Sequence, residues 1–366
     1  MIEAVRNKTR EVRIGDLLIG AEHPVAVQSM TTTDTKDFDQ TLKEVKALEE
    51  AGCELIRVAF LNAKAKDALA EIKRQMKVPL VVDIHFTAHL ALVAMEVGAD
   101  KIRINPGNLG GEDKLDKILE MARDKGVAIR IGVNSGSVEQ DLLEKYGYPC
   151  SDAIVESALR WVEYCENRNF YNMVLSLKSS NVQTAVESYQ KISQECDYPL
   201  HVGITEAGYG QYAKVKSAAG IGTILMQGIG NTIRASLMGD PVEEVKLCYD
   251  ILKATGVRVT GPELIACPTC GRIQIDLGEL VDKVSERIKG VKEPIKISVL
   301  GCPVNGPGEA READIGIAGG NGKGWIYRDG AVVKTVPEAQ LVDALEDEIK
   351  VFLAQREAAR QIRLKS

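Results

Sequence analysis

What most constrains this chain is a recurrence. Eight short runs rich in β-branched and aliphatic residues are each followed by polar or glycine-containing residues and then a helical pattern. The runs fall at residues 25–28, 55–58, 80–83, 101–104, 128–131, 173–176, 201–204 and 223–226. Between them apolar residues return at helical spacing, as with Leu42, Val45 and Leu48, or Leu115, Ile118 and Leu119. Alternation of this kind implies right-handed β-α-β crossovers. Eight is the number that closes a parallel (β/α)8 TIM barrel, whereas a five-strand doubly wound sheet would leave three units unplaced. The expected fold class is therefore α/β, with the barrel first.

At 366 residues the chain exceeds the roughly 250 that such a barrel absorbs, so two domains are expected. The texture changes after Arg258, which divides the chain into a barrel domain over 1–258 and a second domain over 259–366. A hairpin-like stretch, 12–19, precedes the first strand and is placed to plug the barrel's bottom. A helix over 241–255, with Asp240 as N-cap and Gly256 as its stop, finishes the barrel. The second domain reads as a small α/β sheet: a helix near 277–288, strands at 295–300 and near 315–318, a hairpin around Asp329-Gly330, and a closing helix from Pro337.

Composition removes several function classes. A net charge of −6, from 46 basic and 52 acidic residues, creates no general field for nucleic acid or anionic lipid. With 5 Phe, 10 Tyr and 2 Trp, the chain lacks the aromatic surface that stacks bases, so nucleic acid is not an expected partner. No apolar run is long enough to span a bilayer and the amino-terminal stretch has no signal-peptide core, which points to the cytoplasm. Eight cysteines in such a chain suggest metal or redox chemistry rather than a disulfide framework.

Strand parity locates the chemistry. If Ile102 and Ile104 face the helices, Arg103 and Asn105 point inward; Ile129, Ile131 and Val133 outward leave Arg130 and Asn134 inward. The same rule places Arg57 and Lys178 at strand ends, and Arg234, with Ser236 nearby, follows the eighth run. One such cation is ordinarily paired with a neighbouring acid. Five together, with few acids near apart from Asp83 and Glu206, indicate a pocket for phosphate or diphosphate. Asp83 and His85 share inward parity and suit proton transfer or orientation of a hydroxyl; Glu206 is a candidate general acid.

The second domain holds Cys267-Pro-Thr-Cys270 and, further on, Cys302, but no histidine and no fourth cysteine. Structural zinc wants four such ligands, and a thioredoxin-type dithiol leaves Cys302 without a task. Three thiolates in Gly- and Pro-rich loops suit a [4Fe-4S] cluster with one iron left for another ligand. Spacing leaves Glu263, Glu309 and Glu312 as open candidates for that place.

Arg-Ile-Asn-Pro-Gly-Asn from Arg103, Arg-Ile-Gly-Val-Asn-Ser-Gly-Ser from Arg130, Cys-Pro-Thr-Cys-Gly-Arg from Cys267 and Gly-Cys-Pro-Val-Asn-Gly-Pro-Gly-Glu from Gly301 together carry a resemblance. The chain resembles bacterial 4-hydroxy-3-methylbut-2-enyl diphosphate synthases over nearly its whole length, without the large insert of the plant enzymes. The resemblance implies an oxidoreductase of non-mevalonate isoprenoid synthesis that reductively opens 2-C-methyl-D-erythritol 2,4-cyclodiphosphate and eliminates water. It implies a [4Fe-4S] cluster on Cys267, Cys270, Cys302 and Glu309, with Asn305 nearby. It sets Arg57, Arg103, Arg130, Asn134, Lys178, Thr205 and Ser236 around the diphosphate, and Glu206 near the reacting hydroxyl. Flavodoxin or ferredoxin as electron donor and a homodimer are implied too. The rival readings are a non-redox barrel transferase similar to dihydropteroate synthase with a structural zinc domain, and a zinc-ribbon adaptor. No G-x-G-x-x-G fingerprint follows a strand, so direct nicotinamide cofactor binding is not indicated.

Overall fold

The computed structural model describes residues 6–84, 87–105, 107, 112–302 and 312–363. The chain divides into two compact units, Met1–Arg258 and Val259–Ser366.

The first unit opens with an antiparallel hairpin of β1 (Val12–Ile14) and β2 (Leu17–Ile19), turned at Gly15 with φ +56°. Eight parallel strands follow: β3 (Ala26–Met30), β4 (Leu55–Ala59), β5 (Leu80–Asp83), β6 (Lys101–Ile104), β7 (Ala128–Asn134), β8 (Met173–Lys178), β9 (His201–Val202) and β10 (Thr232–Ile233). Their order is β8-β7-β6-β5-β4-β3-β10-β9. A parallel bridge between Leu175 and Leu200, with Leu175 N–H donating to Pro199 O at 2.9 Å, joins the two ends. The (β/α)8 barrel expected from the recurrence is thus the observed architecture.

Outward strand residues Ile56, Val58, Ile102, Ile104, Ile129, Ile131, Leu175 and Leu177 form one apolar core with the surrounding helices. Those include α1 (Phe38–Glu50), α2 (Lys66–Gln75), α3 (Ala88–Glu96), α4 (Glu112–Lys125), α5 (Gln140–Tyr146), α6 (Ser151–Glu166), α7 (Val182–Glu195), α8 (Gly210–Leu225) and α9 (Pro241–Ala254). Each fully buried aliphatic side chain there contributes about 1.5–3 kcal/mol. Asp240 caps α9 by accepting from Val242 N–H at 2.9 Å, and Gly256 follows with φ +69°. At the amino-terminal end, Val12, Ile14 and Ile19 of the hairpin pack among the inward residues Ala26, Leu55, Val81, Ala128 and Val174. The hairpin closes the bottom of the barrel.

One expectation is corrected. Residues 223–226 are not the eighth strand: 223–225 end α8 and Met226 caps it, while the strand is Thr232–Ile233, paired with Ala26 and Val27 of β3. The cause is burial. Gly220, Ile221, Gly222, Ile224 and Leu225 are all buried, so this end of the helix lacks the polar face that marks an amphipathic helix. Gly220 permits the approach, since a Cβ there would lie 2.5 Å from Ile204 Cδ1.

The second unit is a five-stranded sheet in sequence order: β11 (Pro262–Ala266), β12 (Ile295–Leu300), β13 (Ile315–Gly320), β14 (Lys323–Arg328) and β15 (Ala331–Pro337). β11, β12 and β13 run parallel; β14 and β15 return antiparallel around Asp329 and Gly330, both at positive φ. Leu277, Val284 and Ile288 of α10 (Leu277–Ile288) share a core with Leu341, Leu345 and Ile349 of α11 (Leu341–Arg363) and with Ile297, Val299 and Ile317 of the sheet. Among the described residues no helix is long and apolar enough to cross a membrane.

Candidate active site

Period-two alternation within the barrel decides which polar groups enter its interior. Because Ile102, Ile104, Ile129, Ile131 and Val133 belong to the outer core, Lys101, Arg103, Arg130 and Gly132 face inward. Arg103 and Arg130 stand opposite each other in register, as do Asn134 and Lys178. Arg57 is 9%, Arg103 6%, Arg130 2% and Lys178 7% exposed, and Lys101 is wholly buried.

Opposing charge is scarce. Arg103 Nη1 donates to Asp83 Oδ1 at 3.2 Å. Arg234 holds both oxygens of Glu244 at 3.0 and 2.9 Å, and Ser29 Oγ donates to the same carboxylate at 2.8 Å. Arg234, counted from the sequence among the free cations, is therefore a paired one; its partner sits ten residues on, in α9. Among the described residues the set is Arg57, Lys101, Arg103, Arg130, Lys178 and Arg234 against Asp83 and Glu244. Among the described residues Arg130 Nε and Nη1 and Arg103 Nε have no hydrogen-bond partner.

The electrostatics record this crowding. Burial first, and then Arg130, Arg234, Arg57 and Arg103, hold Lys178 well below an ordinary lysine. Burial likewise lowers Arg57 to about 10, with Asp83 opposing and Arg234 and Arg103 adding to the fall. Arg130 is depressed by burial, Arg57 and Arg103. All five cations read from the sequence thus act on one another. Two glycines give them room. A Cβ on Gly132 would stand 3.0 Å from Arg103 Nε, and one on Gly203 would stand 3.0 Å from Lys178 Nζ and 2.6 Å from Arg234 O. A barrel interior with this surplus suits an anion of two or more charges, gripped by guanidinium forks.

The other expected residues ring the same strand ends. Asn134 ends β7 and caps the short turn Ser135–Ser137. Thr205 and Glu206 follow β9; Thr205 is part-buried with its N–H on Ser179 O at 3.3 Å, and Glu206 is exposed with φ +50°. Strain of that kind in a non-glycine residue gathers at functional sites. Ser236 is part-buried after β10. His85 lies outside the described residues. Sequence reasoning passed over Lys101, His201 and Gln28, all fully buried inside the barrel; the inward parity that found Arg103 also marks Lys101 two positions earlier.

In the second unit, Cys267 directly follows β11 and Cys302 lies two residues after β12, the neighbouring parallel strand. Gly301 N–H donates to Cys267 Sγ at 3.2 Å, and Gln274 N–H returns to Gly301 O at 3.0 Å, tying the Cys267–Cys270 loop to the residue before Cys302. Cys270 is exposed, and hydrogen bonds from the backbone and side chain of Arg272 hold its thiol below the usual value. Among the described residues no three metal-binding side chains are gathered around one point. Asn305 and Glu309 lie outside the described residues. Glu263 is engaged across the strands by Lys296 at 3.5 Å, and Glu312 is exposed. The donor set still fits a thiolate-held cluster: thiols at adjacent strand ends, an amide N–H on sulfur, and no imidazole in the unit. Elsewhere Cys53, Cys165 and Cys248 are pushed up to about 12, burial being the largest cause, and are inert packing residues.

A parallel barrel with buried cations at its strand ends, in one chain with a thiol-bearing α/β unit, defines a two-unit protein of the (β/α)8-barrel class. The chain matches the GcpE TIM-barrel domain over residues 9–249 and the GcpE protein C-terminal domain over residues 263–351. It is 54% identical over 344 residues to the 4-hydroxy-3-methylbut-2-en-1-yl diphosphate synthase (flavodoxin) of Anoxybacillus flavithermus, covering 94% of each chain. The Bacillus subtilis protein of the same name is 53% identical over 347 residues, 95% of this chain and 92% of its own. The chain belongs to the 4-hydroxy-3-methylbut-2-en-1-yl diphosphate synthase (flavodoxin) family. Dihydropteroate synthase of Yersinia pestis aligns over 67% of this chain and 98% of its own at a TM-score of 0.48 and 17% identity, a likeness too low to carry weight for the transferase alternative. The family names favour the redox reading over it.

Proposed function

We propose that this chain is a 4-hydroxy-3-methylbut-2-enyl diphosphate synthase, the oxidoreductase that reductively opens 2-C-methyl-D-erythritol 2,4-cyclodiphosphate in non-mevalonate isoprenoid synthesis. Two electrons and two protons enter; a carbon–oxygen bond to phosphate breaks, and one hydroxyl leaves as water. The observation that carries the reading is the surplus of buried cations in the barrel: among the described residues, Arg57, Lys101, Arg103, Arg130 and Lys178 stand against Asp83 and Glu244, and Glu244 is already taken by the part-buried Arg234. Only a multiply charged anion offsets it without an acid from the chain.

In this reading Arg57, Arg103, Arg130 and Lys178 grip the diphosphate, and Asn134, Thr205 and Ser236 add hydrogen bonds at its edge. Arg234, neutralised by Glu244, braces the rim rather than supplying free charge. Glu206 exchanges a proton with the departing hydroxyl, and Asp83 and His85 orient the ring's oxygens. Cys267, Cys270, Cys302 and Glu309 hold a [4Fe-4S] cluster, with Asn305 beside it. Bound there, the cluster supplies electrons one at a time. The enzyme works as a homodimer in the cytoplasm, with reduced flavodoxin, named in its relatives, or ferredoxin as donor.

Protein purified without oxygen should contain about four iron and four acid-labile sulfide per chain and convert the cyclodiphosphate when given reduced flavodoxin. A colourless protein holding zinc, or no metal, would refute the reading.

A further inference from the structure

Beneath the strand-end guanidinium groups lies a second layer of inward side chains that the reaction as proposed leaves without a task. Gln28 of β3, Lys101 of β6, His201 of β9 and Thr232 of β10 are all wholly buried. Lys101 Nζ has one hydrogen-bond partner among the described residues, Gln28 Oε1 at 3.1 Å, and that partner is neutral. His201 Nδ1 meets Thr232 Oγ1 at 2.8 Å, while His201 Nε2 and Gln28 Nε2 have no partner among the described residues.

The charges facing this layer are mostly of one sign. β4 contributes Arg57, β6 Arg103, β7 Arg130 and β8 Lys178; Arg234 follows β10 and is held by Glu244 of α9. Asp83 of β5 is engaged by Arg103. An ammonium here has lost its water, has a single neutral acceptor and faces like charge. Burial above all, and then Arg130 and Arg57, keep Lys101 well below a free lysine. His201 is depressed in the same way. An imidazole starts about four pH units lower than an ammonium, so of the two His201 is the less readily charged.

We propose that Lys101 is a positioning residue of the anion site: held by Gln28 one layer below the strand-end guanidinium groups, it takes up a proton as the cyclic diphosphate binds and completes a positive floor beneath it. The inference rests on the function proposed above and deepens it. A bound dianion reverses the sign of the local potential and restores the proton affinity that burial and like charge remove. The proton comes from solvent and no covalent bond of the ligand changes. The ligand cannot be its source or its sink: each phosphorus of a cyclic diphosphate carries one ester and one anhydride bond, leaving one strongly acidic oxygen apiece. Both oxygens are ionised across the neutral range.

The test is calorimetric titration of oxidised holoenzyme with 2-C-methyl-D-erythritol 2,4-cyclodiphosphate, without reductant, in buffers of different ionisation enthalpy at the same pH. The expected result is net proton uptake on binding, with affinity falling as pH rises by up to about tenfold per pH unit for each proton taken up. In Lys101→Met the uptake should fall by up to one proton relative to the unsubstituted protein and affinity should depend less steeply on pH, whereas His201→Gln should keep both; Lys178, depressed by the same burial and like charge, accounts for any uptake that remains. No uptake in the unsubstituted protein, unchanged uptake in Lys101→Met, or uptake lost in His201→Gln overturns the inference. If Lys101→Met fails to fold, Lys101→Arg, whose guanidinium stays protonated, should lose the same share of the uptake, and unchanged uptake there overturns the inference. Absence of any binding overturns the proposed function together with this inference; tight binding without proton uptake overturns the inference alone.

Discussion

Gly132 gives Arg103 its seat: a Cβ at position 132 would lie 3.0 Å from Arg103 Nε and 3.4 Å from Nη2. Gly132→Ala should therefore push the guanidinium aside by a few tenths of an ångström. Weakening one charge-assisted bond by about 1 kcal/mol corresponds to roughly a fivefold rise in KM, with kcat little changed. Steady-state kinetics beside a thermal midpoint check this, and an unaltered KM would mean that Arg103 does not touch the substrate.

Arg130 should trade stability for binding. It is almost wholly buried among like charges, with Nε and Nη1 unpartnered among the described residues. Replacing such a charge with an apolar side chain of similar volume is often stabilising by about 1–4 kcal/mol. Arg130→Met should raise the melting temperature of ligand-free protein while weakening cyclodiphosphate binding by about 100-fold or more. Melting curves with and without ligand test both halves. A variant that melts lower without ligand and binds as tightly as before contradicts the account.

The Arg234–Glu244 pair is structural. Glu244→Gln leaves a part-buried guanidinium without its counter-charge and weakens the acceptors that Ser29 Oγ and Leu237 N–H use. Loss of one partner of a buried pair costs about 3–5 kcal/mol. Urea denaturation should show the fall directly; an unmoved midpoint would place Arg234 among the free cations after all.

Stability should also depend on pH through His201. Its folded-state value lies well below the ordinary one, through burial and then Arg130, Lys178, Lys101 and Arg57. Below about pH 6.5 the unfolded imidazole binds a proton that the folded one refuses, so stability falls as pH falls, by up to about 1.4 kcal/mol per unit. Above that pH the contribution is level. His201→Gln should flatten this part of the profile relative to the unsubstituted protein between pH 5 and 6.5, measured by denaturation at each pH.

Cys302→Ser should abolish iron and sulfide binding and turnover while the barrel's melting and its cyclodiphosphate binding persist. Retention of full activity in an iron-free variant would remove Cys302 from the ligand set.

The barrel was legible because its outer face obeys a strict alternation. Ile102, Ile104, Ile129 and Ile131 fix the inward direction of Arg103 and Arg130 without any tertiary knowledge. The errors lie where that alternation fails. β9 and β10 hold two residues each, too short to alternate, and the buried end of α8 supplied a more strand-like run than the true eighth strand. The surplus of cations was readable, but the pairing of Arg234 was not, since Glu244 reaches it from the next helix and no spacing rule marks the pair. Lys101 was within reach of the parity rule and was missed because it opens its strand rather than ending it. In the second unit β11 went unread, for Pro262 and Glu263 mask a five-residue edge strand.

The hairpin at the base of the barrel has a kinetic corollary. With Val12, Ile14 and Ile19 stoppering the far end, the chamber is a cul-de-sac. Whatever leaves must back out through the doorway by which the next molecule arrives, still carrying the two phosphoryl groups that the guanidinium lining prefers. On the proposed reading, departure and arrival share one passage, and product should inhibit in competition with substrate.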